Sequence, residues 1–154
     1  MYRIMVYSSP KDQLIFSNRI QGKALIEFEK DIRININETI KLERFSTNIE
    51  LFSEAQAYNL GLNRKVCINK EGEIKNYLTH KSSFGNIMNI DVKNVIENKE
   101  FIKKWDVSND DIEICKDCQY RYTCVSNSDI IEIKGKYYKE EICGFDPFTN
   151  NWAS

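Results

Sequence analysis

Four cysteines near the C-terminus are the residues of this chain that are best suited to chemistry. Two residues separate Cys115 from Cys118, and five more precede Cys124. Eighteen residues then lie between Cys124 and Cys143. Two thiolates at the first spacing can bind one metal centre from a single turn, and two more complete the ligand set. Four thiolates suit tetrahedral zinc or a [4Fe–4S] cluster, and the spacing alone leaves both open.

The bulk composition limits the kinds of partner that this chain would bind. Its 154 residues carry a formal net charge of −1 and are 42% apolar, which suits one domain or a compact domain with a partial second one. A charge so close to neutral gives no electrostatic reason to expect nucleic acid or an anionic membrane as a partner. No apolar run approaches the ~18 residues that cross a bilayer, and the N-terminal residues do not resemble a signal peptide. We expect a cytoplasmic protein, in which clustered cysteines favour metal over disulfides.

The elements that must position the cysteines are predicted to form an α+β fold. In the first part of the chain, apolar patterning predicts strands at residues 3–8, 23–29 and 32–36. A short helix is expected at residues 53–60, with Ser53 as its N-cap and Gly61 ending it.

The second part of the chain is predicted to contain a hairpin, short helices and an irregular end. Residues 65–69 and 73–77 flank a loop in which Gly72 supplies a positive φ, as a hairpin requires. Asp91 is expected to cap a helical stretch that divides into two helices near Asn98. From about Asp111 the chain is rich in cysteine and largely irregular, so a metal would stabilise what a small core cannot.

Five short phrases occur in order through the second part of the chain. They are LGLNRK at 60–65, GEIKNY at 72–77, FGNI at 84–87, CKDCQYRYTC at 115–124, and CGFDPFT at 143–149 before Trp152. The ordered set resembles the SPASM domain, the auxiliary-cluster extension of radical S-adenosylmethionine peptide maturases. The similarity is closest to the SPASM maturase of grasp-with-spasm peptide-modification systems. The resemblance implies a strand-rich segment at 1–58, which could be the remnant of a barrel end, and a SPASM-like iron–sulfur domain at 59–154.

The usual SPASM pattern has seven cysteines that can hold two auxiliary clusters. Four of the seven positions match cysteines here, and the resemblance implies that they bind one [4Fe–4S] cluster; they are Cys115, Cys118, Cys124 and Cys143.

The other three positions of the pattern have no cysteine in this chain. They fall on Gly61, Tyr77 and Ser128, which implies that the first cluster is lost. Cys67 lies nearby, but one thiolate cannot hold a cluster. Its neighbours Val66 and Ile68 suggest a small buried side chain instead.

The chain also departs from the family in its catalytic part. Radical S-adenosylmethionine enzymes bind their cofactor through a Cys-x3-Cys-x2-Cys loop, and this sequence contains no such spacing. Residues 1–58 are too few for the barrel that carries that loop. We therefore expect that the chain alone neither binds nor cleaves S-adenosylmethionine, and we assign no catalytic residue.

Three functional hypotheses follow from these observations. The first is an accessory or truncated peptide maturase that relays electrons or docks a precursor peptide, with that peptide and a modifying enzyme as partners. The enzyme would be an ATP-grasp ligase or a separate barrel subunit. The second is a non-enzymatic, zinc-stabilised peptide-binding module, and the third is a non-functional C-terminal remnant of a split maturase.

The residues around the cysteines have expected roles of their own. Tyr120, Arg121 and Tyr122 are expected to pack over the metal centre, where hydrogen bonds to sulfur would tune its potential. The only histidine, His80, is expected to be solvated in a polar loop. Two further sets of residues have structural roles: Trp105 and Trp152 are expected to anchor the core, and Asp146-Pro147 to form a turn.

Overall fold

The computed structural model describes residues 2–7, 9–17, 24–29, 48–141 and 143–152. Its contacts divide the chain into two units, Met1–Glu38 and Thr39–Ser154. The strand predicted at residues 32–36 lies outside the described residues. The boundary predicted after residue 58 concerns where the SPASM-like region begins, and it stays a prediction.

The first unit contains a three-stranded sheet. Its strands are β1 (Tyr2–Tyr7), β2 (Gln13–Ser17) and β3 (Ala24–Glu29). The central strand is β3, which pairs parallel with β1 and antiparallel with β2. Both predicted strands in this region are confirmed. Strand β2 was not predicted, because three adjacent apolar residues in it show no alternation.

The second unit begins with helix α1 (Ile49–Ala55). Its N-cap is Asn48, whose side chain accepts a hydrogen bond from the Glu50 amide at 2.8 Å. The prediction that Ser53 caps this helix is wrong, because Ser53 lies inside it and donates to the Ile49 carbonyl at 2.8 Å. Asn caps as well as Ser does, and Asn48 precedes the first apolar residue of the helix.

The predicted hairpin and the divided helix are both confirmed. Strands β4 (Cys67–Ile68) and β5 (Ile74–Lys75) pair antiparallel, and Gly72 in their loop has a φ of 82°. Helix α2 (Val92–Ile96) is capped by Asp91, whose carboxylate accepts from the Lys93 amide at 2.9 Å. A second cap at Asn98 starts helix α3 (Lys99–Ile102).

The cysteine-rich end is more regular than the sequence predicted. A short 3-10 turn at Cys115–Asp117 is followed by the hairpin of β6 (Ile130–Ile133) and β7 (Lys136–Lys139). Strands β8 (Phe145–Asp146) and β9 (Asn151–Trp152) form a second small hairpin. The β6–β7 loop is Lys134-Gly135, with φ values of 52° and 76°. A two-residue loop with glycine between β-branched and aromatic residues is a hairpin signal that the sequence analysis overlooked.

Two small apolar clusters form the described core of the second unit. The buried residues of the first are Leu62, Val107, Ile112 and Ile130, and those of the second are Ile74, Val95 and Phe101. Trp105 packs against both clusters, as expected of a core anchor. The protein is thus a small mixed α/β protein with short helices and small antiparallel hairpins. Among its described helices, none is both long and apolar enough to cross a membrane.

Candidate metal centre

The first two cysteines lie on a tight turn that the core holds in place. Ile112 is fully buried, and Cys115 packs against the cluster that contains it. Ile114, just before the turn, has a φ of 72°, which is strained for a β-branched residue. The Cys118 amide donates to the Cys115 carbonyl at 2.9 Å and closes the turn. Both thiols are therefore positioned by backbone that the core fixes.

Three of the four sulfurs accept a hydrogen bond from the amide two residues further along the chain. The Tyr120 amide donates to the Cys118 Sγ at 3.4 Å, and the Phe145 amide donates to the Cys143 Sγ at 3.4 Å. The Ser126 amide makes the same kind of bond to Cys124 and lowers the pKa of its thiol. Such bonds stabilise thiolate over thiol, because the negative sulfur is the stronger acceptor.

The four thiols are close enough to one another to interact electrostatically. Burial raises the pKa of three of them, and negative charge on neighbouring cysteines raises it further; these three are Cys115, Cys118 and Cys124. All six pairs among the four cysteines are coupled in this way. Four thiolates would repel one another here, so a bound cation would be needed to hold them deprotonated.

A lysine that the sequence analysis did not single out faces the sulfurs. The Lys139 Nζ lies 3.9 Å from the Cys124 Sγ. Its positive charge lowers the pKa of the Cys115, Cys118 and Cys124 thiols, against the effect of burial. Lys139 lies opposite the buried Ile130 in the hairpin register, so its side chain faces inward. The sequence pattern alone does not indicate this direction.

The loop between Cys118 and Cys124 is braced by an ion pair and an aromatic contact. The Arg121 Nε donates to the Asp110 Oδ1 at 2.8 Å, and one of its terminal nitrogens donates to the Cys118 carbonyl at 3.1 Å. The guanidinium also stacks on the Tyr122 ring, whose hydroxyl donates to the Asp110 Oδ2 at 2.9 Å. The Arg121 side chain thus holds the loop by its hydrogen bond to the backbone carbonyl of Cys118.

Aromatic rings connect this loop to the last hairpin. Tyr120 meets the Phe145 ring edge-on at a centroid distance of 4.9 Å, and Phe145 lies 5.1 Å from the Trp152 ring. Asp146 closes the β8–β9 turn, accepting from the Phe148 amide at 2.9 Å, as predicted. The segment that carries Cys143 is thereby held against the segment that carries Cys118.

The four thiols do not form a site for a single ion. Within the described parts of the chain, no three Cys, His, Asp or Glu side chains converge closely enough to hold one metal ion. A tetrahedral zinc site requires all four sulfurs at about 2.3 Å from a common centre.

The positions that the SPASM pattern assigns to the first cluster are filled by packed backbone and side chains. A Cβ on Gly61 would lie 1.7 Å from the Ser126 carbonyl oxygen, so this backbone has no room for a cysteine there. Tyr77 packs against the first apolar cluster. Ser128 is buried, and its hydroxyl accepts from the Glu141 amide at 3.1 Å.

The expectation that His80 is solvated is wrong, since its exposed fraction is 3%. Its Nε2 lies 2.8 Å from the Asn127 carbonyl, which can only accept, so Nε2 carries the proton. Its Nδ1 lies 3.6 Å from the Asp129 Oδ1, and Asp129 also pairs with Lys104. Burial lowers the pKa of His80 below its ordinary value. The polar sequence around His80 did not indicate this burial, because its polar contacts are with Asn127 and Asp129, far along the chain.

Cys67 lies apart from the four-cysteine group in its electrostatics. Burial raises the pKa of its thiol, and the charge that lowers it is that of Lys65. It is half-buried on β4, opposite Lys75. Its surroundings fit a packed thiol better than a ligand.

Comparisons with protein-family models, with curated proteins and with solved structures found no match for this chain. The SPASM resemblance accordingly stays a prediction carried by the ordered phrases and the cysteine spacing.

Proposed function

We propose that this chain is a SPASM-like protein of a ribosomal-peptide modification system that binds one [4Fe–4S] cluster. Its ligands would be Cys115, Cys118, Cys124 and Cys143. When bound, such a cluster supplies one-electron chemistry. With four protein thiolates no iron is left open for substrate, so we propose an accessory role in electron relay or precursor-peptide docking.

The observation that carries this proposal is the set of amide bonds to sulfur. Three turns, at Cys118, Cys124 and Cys143, each direct the amide of the residue two positions on toward the cysteine sulfur. A neutral thiol is a weak acceptor, so three such bonds contribute little to a metal-free protein. Bonds to metal-bound thiolate are stronger, and in iron–sulfur proteins they tune the potential.

The choice of a cluster over zinc rests on the SPASM resemblance, and the arrangement of the thiols is compatible with it. Four sulfurs that surround a cubane each bind a different iron, so they need not approach a common centre. The described cysteines are mutually coupled yet do not converge on one ion. This combination is compatible with a multi-iron centre, and zinc stays the competing hypothesis.

For the docking role, the candidate surface is the cleft beside β6. Ile130, Glu132 and Tyr137 line the cleft from the hairpin, and Lys103 lines it from the end of α3. Among the described strands β6 pairs only with β7, so its outer edge can accept an extended peptide. Lys103 pairs with Glu132 at 2.8 Å across the cleft, so a bound peptide would replace this ion pair with contacts to its own charged groups.

The test is metal analysis of protein purified without oxygen. We expect about four irons and four sulfides per chain with broad absorption near roughly 400 nm. Serine substitution at each of the four ligand cysteines should abolish the cluster. Cys67→Ser is the matched control and should retain it, because its thiol is not part of the coupled group.

Other outcomes would favour the competing hypotheses. About one zinc per chain and no colour would replace the cluster with a structural zinc module. A protein that holds a cluster but binds neither a precursor peptide nor a maturation enzyme would contradict the accessory role. A chain that does not fold alone would favour a remnant of a split maturase. A neighbouring precursor gene and ATP-grasp gene would support the first hypothesis.

A further inference from the structure

The most informative charge near the candidate centre is that of Lys139, at the end of β7. Its Nζ points to the Cys124 Sγ at 3.9 Å. Among the described residues, no carboxylate lies within ion-pair distance of it. Neighbouring lysines behave differently: Lys103, Lys104 and Lys136 each pair with a carboxylate.

The hairpin register explains why Lys139 faces inward. In the antiparallel pair, Lys139 lies opposite Ile130, which is buried in the first apolar cluster. Directly opposite residues share a face of the sheet, so the Lys139 side chain lies on the core side. Cys115 packs against this same cluster, which brings the ammonium and the thiols to one face.

Lys136 provides a comparison on the same strand. It lies three positions earlier, opposite the exposed Ile133. Its side chain therefore extends from the opposite face of the sheet. Its Nζ pairs with the Glu113 Oε1 at 3.2 Å. The strand thus carries one lysine directed at sulfur and one directed at a surface carboxylate.

We propose that Lys139 is the counter-charge of the thiolate centre and raises its reduction potential. This inference rests on the proposed function, since it requires the cluster. Reduction adds one electron and no atoms, so the centre becomes more negative by one charge. A fixed cation in contact with a ligand sulfur stabilises the reduced state more than the oxidised state. Lys139 would act on the cluster through its positive charge, and it touches no substrate.

The test compares midpoint potentials, measured at an electrode under anaerobic conditions, for the loaded full-length chain and its variants. Lys139→Met should lower the equilibrium constant for one-electron reduction at least tenfold, which is 59 mV for one electron. Lys139→Gln keeps an N–H donor but has no charge, so its midpoint potential should also be lower. Lys139→Arg should have a midpoint potential close to that of the unaltered protein. Lys136→Met is the matched control, and its midpoint potential should not change.

The outcomes separate this inference from the function on which it rests. A protein that holds no iron overturns both. A protein that holds the cluster, with Lys139→Met and Lys139→Gln both at the unaltered potential, overturns only the role of Lys139. An equal shift in Lys136→Met would also overturn it, because a general loss of positive charge would then explain the effect. If the Met variant fails to fold, the Gln variant decides.

Discussion

Gly61 shows how strongly a single residue constrains the candidate site. Its added Cβ would meet not only the Ser126 carbonyl oxygen at 1.7 Å but also the carbonyl carbon at 2.6 Å. Both atoms are backbone, so no side-chain rotation relieves the contact. In the SPASM pattern this position carries the opening cysteine. The close approach of two chain segments thus leaves no room for a cysteine side chain at this position.

We predict that Gly61→Ala lowers the free energy of unfolding by about 2–3 kcal/mol, as overpacking does. Denaturant unfolding of the two proteins measures the difference. Gly135→Ala is the control, because nothing lies within 4 Å of its Cβ and its φ is 76°. That variant should lose about 1 kcal/mol from backbone strain alone. Equal losses in both variants would contradict the close-contact explanation.

At the level of elements, a buried polar network joins segments that are distant in sequence. His80 follows β5, Lys104 follows α3, and Asp129 precedes β6. His80 bonds to the Asn127 carbonyl, and the Asp129 carboxylate lies between the ring and the Lys104 ammonium. The network lies beside Ser128, at one of the positions where the family places a ligand of its first cluster. Hydrogen bonds and an ion pair therefore connect these segments.

This network predicts a pH dependence of stability. Burial is the main cause that lowers the pKa of His80 in the folded protein, and Lys104 adds to it; the Asn127 carbonyl, Asp129 and Glu140 oppose them. The unfolded chain therefore binds more protons at acid pH, and its histidine titrates near 6.5. The stabilisation is complete above that value and is lost as the pH falls below it toward the folded pKa.

The measurement is the free energy of unfolding between about pH 7.5 and 5.5. His80→Gln keeps a donor for the Asn127 carbonyl but does not titrate, so its stability should fall less over this interval. Parallel curves for the two proteins would show that other groups cause the pH dependence.

At the level of the whole molecule, the second unit depends on two apolar clusters of three or four buried residues each. Such small cores supply limited stability, and small domains commonly add metal or disulfides. The described cysteines are all free thiols, so the proposed cluster would be the cross-link of this unit. Cys115 packs against one core cluster, which would transmit the effect of metal binding to the fold.

We predict that removing the cluster with an oxidant and a chelator loosens the end of the chain selectively. Amide hydrogens in residues 111–152 should exchange at least about tenfold faster in the metal-free protein. Those of β1, β2 and β3 should change little, because they belong to the separate first unit. Hydrogen-exchange mass spectrometry measures both regions in one experiment. Unchanged exchange at 111–152 would contradict a structural role for the metal.

Local features of the fold follow from neighbouring residues in the sequence. Asp91 and Asn98 are helix caps, and Gly72 is a turn residue, because each acts on its nearest neighbours in the chain. The cysteine spacing likewise defined a candidate ligand set before any fold was known. The prediction of Ser53 as the N-cap failed because the helix begins earlier in the chain, where Asn48 is an equally good capping residue.

Contacts between side chains that are distant in sequence depend on the tertiary fold. Lys139 faces sulfur because hairpin register places it opposite a buried isoleucine, whereas Lys136 on the same strand does not. His80 has its polar contacts with Asn127 and Asp129, nearly fifty residues away in the chain. Burial and charge at a site depend on pairings between distant segments. Those pairings follow from the packing of the whole chain, and no local pattern in the sequence records them.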